Sequence, residues 1–145
     1  MRAALLGILA FFMSIGTQAQ NVTIFKSTHD YETTILRLDS IIKAKNLTYH
    51  KMVNYDNQSA DVVEGHNRVF IFEDLALTQD VLKCDPLVSL DLPLKILVWD
   101  EHGEVYLGYV DPMFMKRRFQ LKDCNEKLQQ LTSLLVRITN ECIKG

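Results

Sequence analysis

The chain has 145 residues, 48% of them hydrophobic, and a formal net charge of −2 at pH 7. That length fits one domain able to bury roughly two-thirds of its unfolded surface. The charge balance offers no basic footprint for nucleic acid, and the one cationic run, Lys116-Arg117-Arg118, reads as a solvated face.

Taken in chain order, the first segment is a leader. Residues 1–19 carry Arg2, an apolar run from Ala3 to about Ile15, and then Thr17-Gln18-Ala19, the pattern of a cleaved secretory signal peptide. The run falls short of the ~20 residues a bilayer-spanning helix needs, and no later stretch of that length is free of charge. No Cys follows Ala19 to take a lipid. The expectation is an exported protein, periplasmic or secreted, with no membrane span and with residues 20–145 forming a single domain.

Asn21 to Ser27 alternates and is rich in β-branched residues, which predicts a first strand. The period then changes: Tyr31, Ile35, Leu38 and Ile42 form one stripe of a helix, with Ser27, followed three residues later by Asp30, or else Thr28, to cap its start and Asn46 to end it. LTYHKMVNY reads as a second strand, and DNQSADVVEGHN as a polar connection with room for one helical turn. RVFIFED, apolar on both parities, reads as a third and central strand. LALTQDVLKCDPLVSLD is irregular or briefly helical. LKILVWD and EVYLGYV flank His102-Gly103, a two-residue hairpin turn in which Gly103 supplies positive φ.

A last helix is expected at about 123–143. Asp123 and Glu126 have capping-box spacing, and Cys124, Leu128, Leu131, Leu135, Ile138 and Cys142 make one apolar stripe opposite Lys127, Gln130, Arg137 and Glu141. The pattern predicts a two-layer α+β fold: one antiparallel sheet of four to five strands with two helices on one face.

The string Leu92-Pro93-Leu94-Lys95, then Val98-Trp99, the Gly103 turn, Val105-Tyr106-Leu107-Gly108-Tyr109-Val110-Asp111-Pro112 and Arg118 resembles the domain of unknown function 302 family. The strand ending in Phe72 and the first helix around Thr34 to Leu38 fit as well, so the resemblance runs from about Lys26 to Phe119. It implies a compact two-layer fold similar in outline to the TATA-binding protein half-fold, dimers in some members, and no assigned activity, hence no catalytic residues to carry over. Two loops depart from the family pattern. Glu73-Asp74-Leu75 stands where Gly-Asn-Pro is usual, and Asn54-Tyr55-Asp56 where an Asp-His pair is usual.

Candidate chemistry is sparse. His29, His50, His66 and His102 show no metal-binding or haem spacing, and only His50 lies mid-strand. Cys124 and Cys142 share a helix roughly 27 Å apart, too far to bridge each other. Both suit core packing, whereas Cys84 could pair with either one or with a second chain. Across the hairpin, Trp99 should pair with Tyr106, Leu97 with Gly108 and Lys95 with Val110, while Val98 with Leu107 and Ile96 with Tyr109 form the core face.

The face bearing Lys95, Leu97, Trp99, Tyr106 and bare Gly108 has no predicted helix to cover it. It is either a partner or ligand surface or is roofed by the Leu75 to Pro86 loop. Asp91 and Lys95, same-parity residues ~13 Å apart along an extended strand, are too distant to couple unless Pro93 bends the chain.

The sequence therefore favours an exported, non-enzymatic binding or interaction module, a homodimer through the open sheet face, with a small ligand conceivable and no cofactor or metal implied. The competing readings are a thiol-dependent or hydrolytic enzyme centred on Cys84 or the Asp91 to Asp111 segment, and a metal or haem carrier using His50 with a Cys.

Overall fold

The computed structural model describes residues 21–56 and 65–144, so the expected leader and most of the expected turn between the second and third strands lie outside the described residues. Five strands, β1 (Val22–Lys26), β2 (Thr48–Asn54), β3 (Asn67–Glu73), β4 (Leu94–Glu101) and β5 (Glu104–Val110), form one antiparallel sheet in the order β1-β5-β4-β3-β2. β3 is interior, as its double-sided apolar pattern predicts, but the middle strand is β4. The helices are α1 (Tyr31–Ala44), α2 (Leu75–Leu82), α3 (Phe114–Arg118) and α4 (Asn125–Ile143), with a 3-10 turn at Pro86–Leu90.

The helical face of the sheet follows from strand parity. Phe70 and Phe72 of β3, Ile96 and Val98 of β4, and Val105 and Leu107 of β5 all point to it and are buried. The α1 stripe Tyr31, Ile35, Leu38 and Ile42 and the α4 stripe Leu128, Leu131, Leu135 and Ile138 close this core from the other side. The two helices pack on each other as well as on the sheet.

Helix ends follow local chemistry. The α1 cap is Asp30, whose carboxylate accepts from Thr33 N–H and Thr33 Oγ1, both at 2.8 Å. The cap is thus neither of the expected residues: Ser27 bonds Thr34 beneath the helix at 2.9 Å and Thr28 donates to the Ile143 carbonyl at 2.7 Å. Asn46 ends α1 in the left-handed region, φ 59°, as a residue just past a helix commonly does. The expected capping box on α4 is absent: Asp123 itself adopts φ 54°, Cys124 takes the cap position, and no side chain caps the first turn.

The hairpin has the expected register, with Leu97 opposite Gly108, Val98 opposite Leu107 and Trp99 opposite Tyr106. His102 and Gly103 both have positive φ, 52° and 80°, the paired left-handed conformation whose twist suits a two-residue hairpin loop.

The Leu75 to Pro86 segment does not roof the open sheet face. Leu75–Leu82 is a helix packed against α4, and Cys84 is disulfide-bonded to Cys124 at the foot of α4, so the segment belongs to the helical layer. Its apolar stripe is short, with only Thr78 and Val81 buried, which is why its periodicity is weak.

Candidate functional site

The sheet face opposite the helices carries three cross-strand rows. The central row runs Ile24, Gly108, Leu97, Val69 and Val53 from edge to edge. One flanking row holds Val22 and Val110 at one end and Lys95, Ile71 and Lys51 at the other. The second flanking row holds Lys26, Tyr106, Trp99 and Asn67. Ile24 and Val110 are 56% and 57% exposed, while Leu97, Val69 and Ile71 are half-buried only by their neighbours on the sheet. Among the described residues no helix lies on this side.

The structure thus brings Lys95, Leu97, Trp99, Tyr106 and Gly108 onto one face. Gly108, however, offers no bare patch to a visitor. A Cβ there would meet the Trp99 ring at 3.1 Å, because Trp99 lies across the glycine and stacks on Tyr106 with centroids 5.4 Å apart. Gly108 lets this chain's own indole lie flat. Tyr106 donates to Glu104 at 2.8 Å and Lys26 pairs with the same carboxylate at 2.5 Å, which fixes that corner of the face.

Where the β4–β5 ladder ends at Leu97 and Gly108, a cleft of about 170 Å³ opens beneath Lys95 and Val110. Leu90, Leu94, Val110, Phe114 and Leu135 give it apolar walls. Asp91, Lys95, Asp111 and Arg118 supply its charges. Asp91 and Lys95 do line one site, but each has its own partner: Asp91 pairs with Arg118 at 3.0 Å and Lys95 donates to the Pro93 carbonyl at 3.0 Å. Arg118, expected on a solvated cationic face, is thereby tied to the chain entering β4. Asp111 accepts from Met113 N–H at 2.9 Å and Thr132 Oγ1 at 2.7 Å.

A polar network at the far end of β3 involves residues that sequence patterning did not single out. Arg68 pairs with Asp56 at 2.9 Å and Glu32 at 3.3 Å, lies over the Tyr31 ring at 5.3 Å, and shares Asp56 with Asn67 N–H. His66 also packs against Tyr31, ring centroids 4.9 Å apart, and pairs with Asp100. Burial, and then the Asp56 charge, push the Tyr31 hydroxyl well above the ordinary tyrosine value. The hydroxyl is held protonated, and the network ties the end of the sheet to the start of α1. The one available signal was Asp56 standing in the loop that departs from the family pattern.

The thiols leave little for cysteine chemistry. Cys84 and Cys124 form a disulfide with Cα atoms 6.1 Å apart, so Cys124 is not simply a packing residue. Cys142 is buried, and burial pushes its thiol up to about 11, far from nucleophilic at neutral pH. His50 pairs with Glu73 at 2.7 Å on the open face, and His102, at the hairpin tip and 90% exposed, lies 4.0 Å from the Glu101 carboxylate. Among the described residues, no group of three His, Cys, Asp or Glu side chains is placed to hold a metal ion, and no helix is long and apolar enough to cross a membrane.

The arrangement is that of a two-layer α+β domain with an open antiparallel sheet, one face packed by helices and the other, among the described residues, without a helix on it. The family model "Domain of unknown function DUF302" matches residues 23–138, and the chain belongs to that family. A solved structure, described as the crystal structure of an uncharacterized conserved protein DUF302 from Bacillus stearothermophilus, superposes with a TM-score of 0.77 at 16% identity, covering 86% of this chain and 99% of that one. At that identity the likeness is one of fold. No curated protein matches the chain.

Proposed function

We propose that this protein is an exported, non-enzymatic interaction module that associates with a second copy of itself through the open sheet face. The observation that carries the reading is the apolar row Ile24, Gly108 beneath the Trp99 ring, Leu97, Val69 and Val53, which crosses all five strands with no covering helix among the described residues. An exposed apolar row rimmed by polar residues is a common mark of an interaction surface. The Cys84–Cys124 disulfide supports the export part, because such bonds persist in oxidising compartments.

The face is also compatible with a two-fold operator. Lys95 and Lys51 outnumber Glu73 at one end, and Glu101 and Glu104 outnumber Lys26 at the other. A two-fold axis along the central row reverses the strand direction between copies, setting the basic end of one against the acidic, aromatic end of the other. With strands ~4.8 Å apart and ~3.4 Å per residue, the face spans roughly 400 Å² per copy. Two such faces bury roughly 800 Å² in total, below the range of stable specific interfaces, and correspond to a weak, reversible dimer.

Sedimentation velocity across a wide range of concentrations tests this. The expected result is a monomer–dimer equilibrium that Leu97→Glu shifts to monomer while the circular dichroism spectrum stays native. A strict monomer at every concentration, or a Leu97→Glu variant that associates like the wild type, overturns it.

A further inference from the structure

We propose that the cleft at the open end of the β4–β5 hairpin is a binding site for a small organic monocarboxylate with a ring-sized apolar body. Most of its apolar wall comes from Leu90, Leu94, Phe114 and Leu135 rather than from the exposed sheet face, although Lys95 and Val110 belong to both.

Size comes first. The cleft holds about 170 Å³, close to the ~150 Å³ at which an apolar protein cavity accepts a single benzene ring. Its walls are predominantly hydrophobic with a few convergent charges, the usual composition of a small-molecule site. Leu90, 70% exposed, stands at its rim with Val110, so a ligand can enter without displacing the core.

Charge then selects the head group. Formally the cleft holds two acids and two bases, but they are not equally free. Arg118 neutralises Asp91, and the Met113 N–H and the Thr132 hydroxyl occupy Asp111 Oδ1. Lys95 donates only to a neutral carbonyl, that of Pro93, and meets no carboxylate among the described residues. Its ammonium retains donors on a flexible stem above an apolar wall, where a charged hydrogen bond is worth more than in open water. Asp111 keeps its charge, turned toward the Met113 N–H and the Thr132 hydroxyl through Oδ1, so the free donor in the cleft is the Lys95 ammonium, and the ligand that complements it is an anion whose apolar body fills the pocket.

Three probes of nearly the same shape separate the alternatives: benzoate, benzyl alcohol and benzylammonium. Titrated into the ¹⁵N-labelled protein at constant pH and ionic strength, benzoate is expected to give saturable amide shifts at Asp91, Lys95, Val110 and Arg118. It should bind at least about tenfold more tightly than benzyl alcohol, the worth of one charge-assisted hydrogen bond. Lys95→Met keeps the apolar stem of an exposed residue and should erase that preference without weakening benzyl alcohol. Leu90→Trp at the rim should weaken both. The proposal is overturned if no probe saturates, if shifts map elsewhere, if benzyl alcohol or benzylammonium binds as well as benzoate, or if Lys95→Met retains the wild-type preference.

Discussion

Asp56 accepts from the Asn67 N–H, from Arg68 at 3.0 Å and from the Tyr31 hydroxyl at 3.4 Å, and so joins the ends of β2 and β3 to the start of α1. Burial alone would raise its pKa, but the Asn67 hydrogen bond and then the hydrogen bond and charge of Arg68 outweigh that effect and hold it below the ordinary value. Its folded pKa is therefore lower than its unfolded one. The stabilisation is fully present above the unfolded value near 3.8 and is lost as pH falls through the folded value. Asp56→Ala leaves Arg68, whose side chain is 17% exposed, without its main partner, and should cost roughly 2–4 kcal/mol at neutral pH by urea denaturation. The difference between wild type and Asp56→Ala should shrink below about pH 4; a difference that holds constant into acid would assign the loss to packing instead. Apart from Tyr31 in the helix stripe and Asp56 in the departing loop, the pairing of this network was not legible beforehand, because polar partners brought together from distant segments leave no periodicity. The hydrophobic stripes, by contrast, are written in spacing alone. Tyr31, Ile35, Leu38 and Ile42 are all buried as their pattern requires.

Between elements, α4 is secured at both ends by groups outside its own stripe. At its C-terminus Arg37 of α1 donates to the carbonyls of Cys142 and Glu141, each at 2.9 Å, and of Lys144 at 2.6 Å. These are carbonyls the last turn of a helix leaves unpaired, and a cation there also complements the helix dipole. Arg37→Met keeps most of the stem and should cost about 1–3 kcal/mol, read as a fall in the thermal midpoint. A neutral result would mean that water replaces the guanidinium fully. At the N-terminus the Cys84–Cys124 bond closes a separation of 40 residues, worth roughly 4 kcal/mol by loop entropy. The double variant Cys84→Ala/Cys124→Ala should lose about 2–4 kcal/mol. Hydrogen exchange should accelerate first in α2 and the 3-10 turn, the part of the helical layer with least buried area. Uniform acceleration through the sheet would refute that local reading. With three thiols, helix geometry could exclude only the Cys124–Cys142 pairing, and Cys84 had two candidates on the same stripe. The structure selects Cys124 because α2 packs beside the start of α4, and it leaves Cys142 under α1, where its thiol approaches the Thr34 carbonyl at 3.6 Å.

At the scale of the whole molecule, the hairpin shows why one half of the design is readable and the other is not. The His102-Gly103 turn fixes the register, and the register sends Val98 and Leu107 to the core and Leu97, Trp99 and Tyr106 to the far face. Strand parity thus determines which residues share the open face, but what lies against them is a tertiary matter. The sequence left the Leu75 to Pro86 segment as a candidate cover, and the structure assigns it to the opposite layer. The aromatic pair proves partly self-satisfied, with Trp99 resting on Gly108, so the free area shifts to the aliphatic row beside it. If two copies meet with their strands reversed about that row, Lys95 of one falls over Trp99 of the other, with Glu101 and Glu104 a step further along. Lys95→Glu should then weaken association several-fold, an effect screened at high salt. Adding Glu101→Lys should restore it, because the charge pattern is reversed rather than removed. Glu101→Lys alone should weaken association, since it sets Lys95 of one copy against a new cation on the other. Sedimentation equilibrium of the wild type, the two single variants and the double variant measures the coupling directly. If the single effects simply add, the charged ends do not face one another, and a two-fold axis along the strands, which sets Lys95 near its own copy, replaces the one argued here.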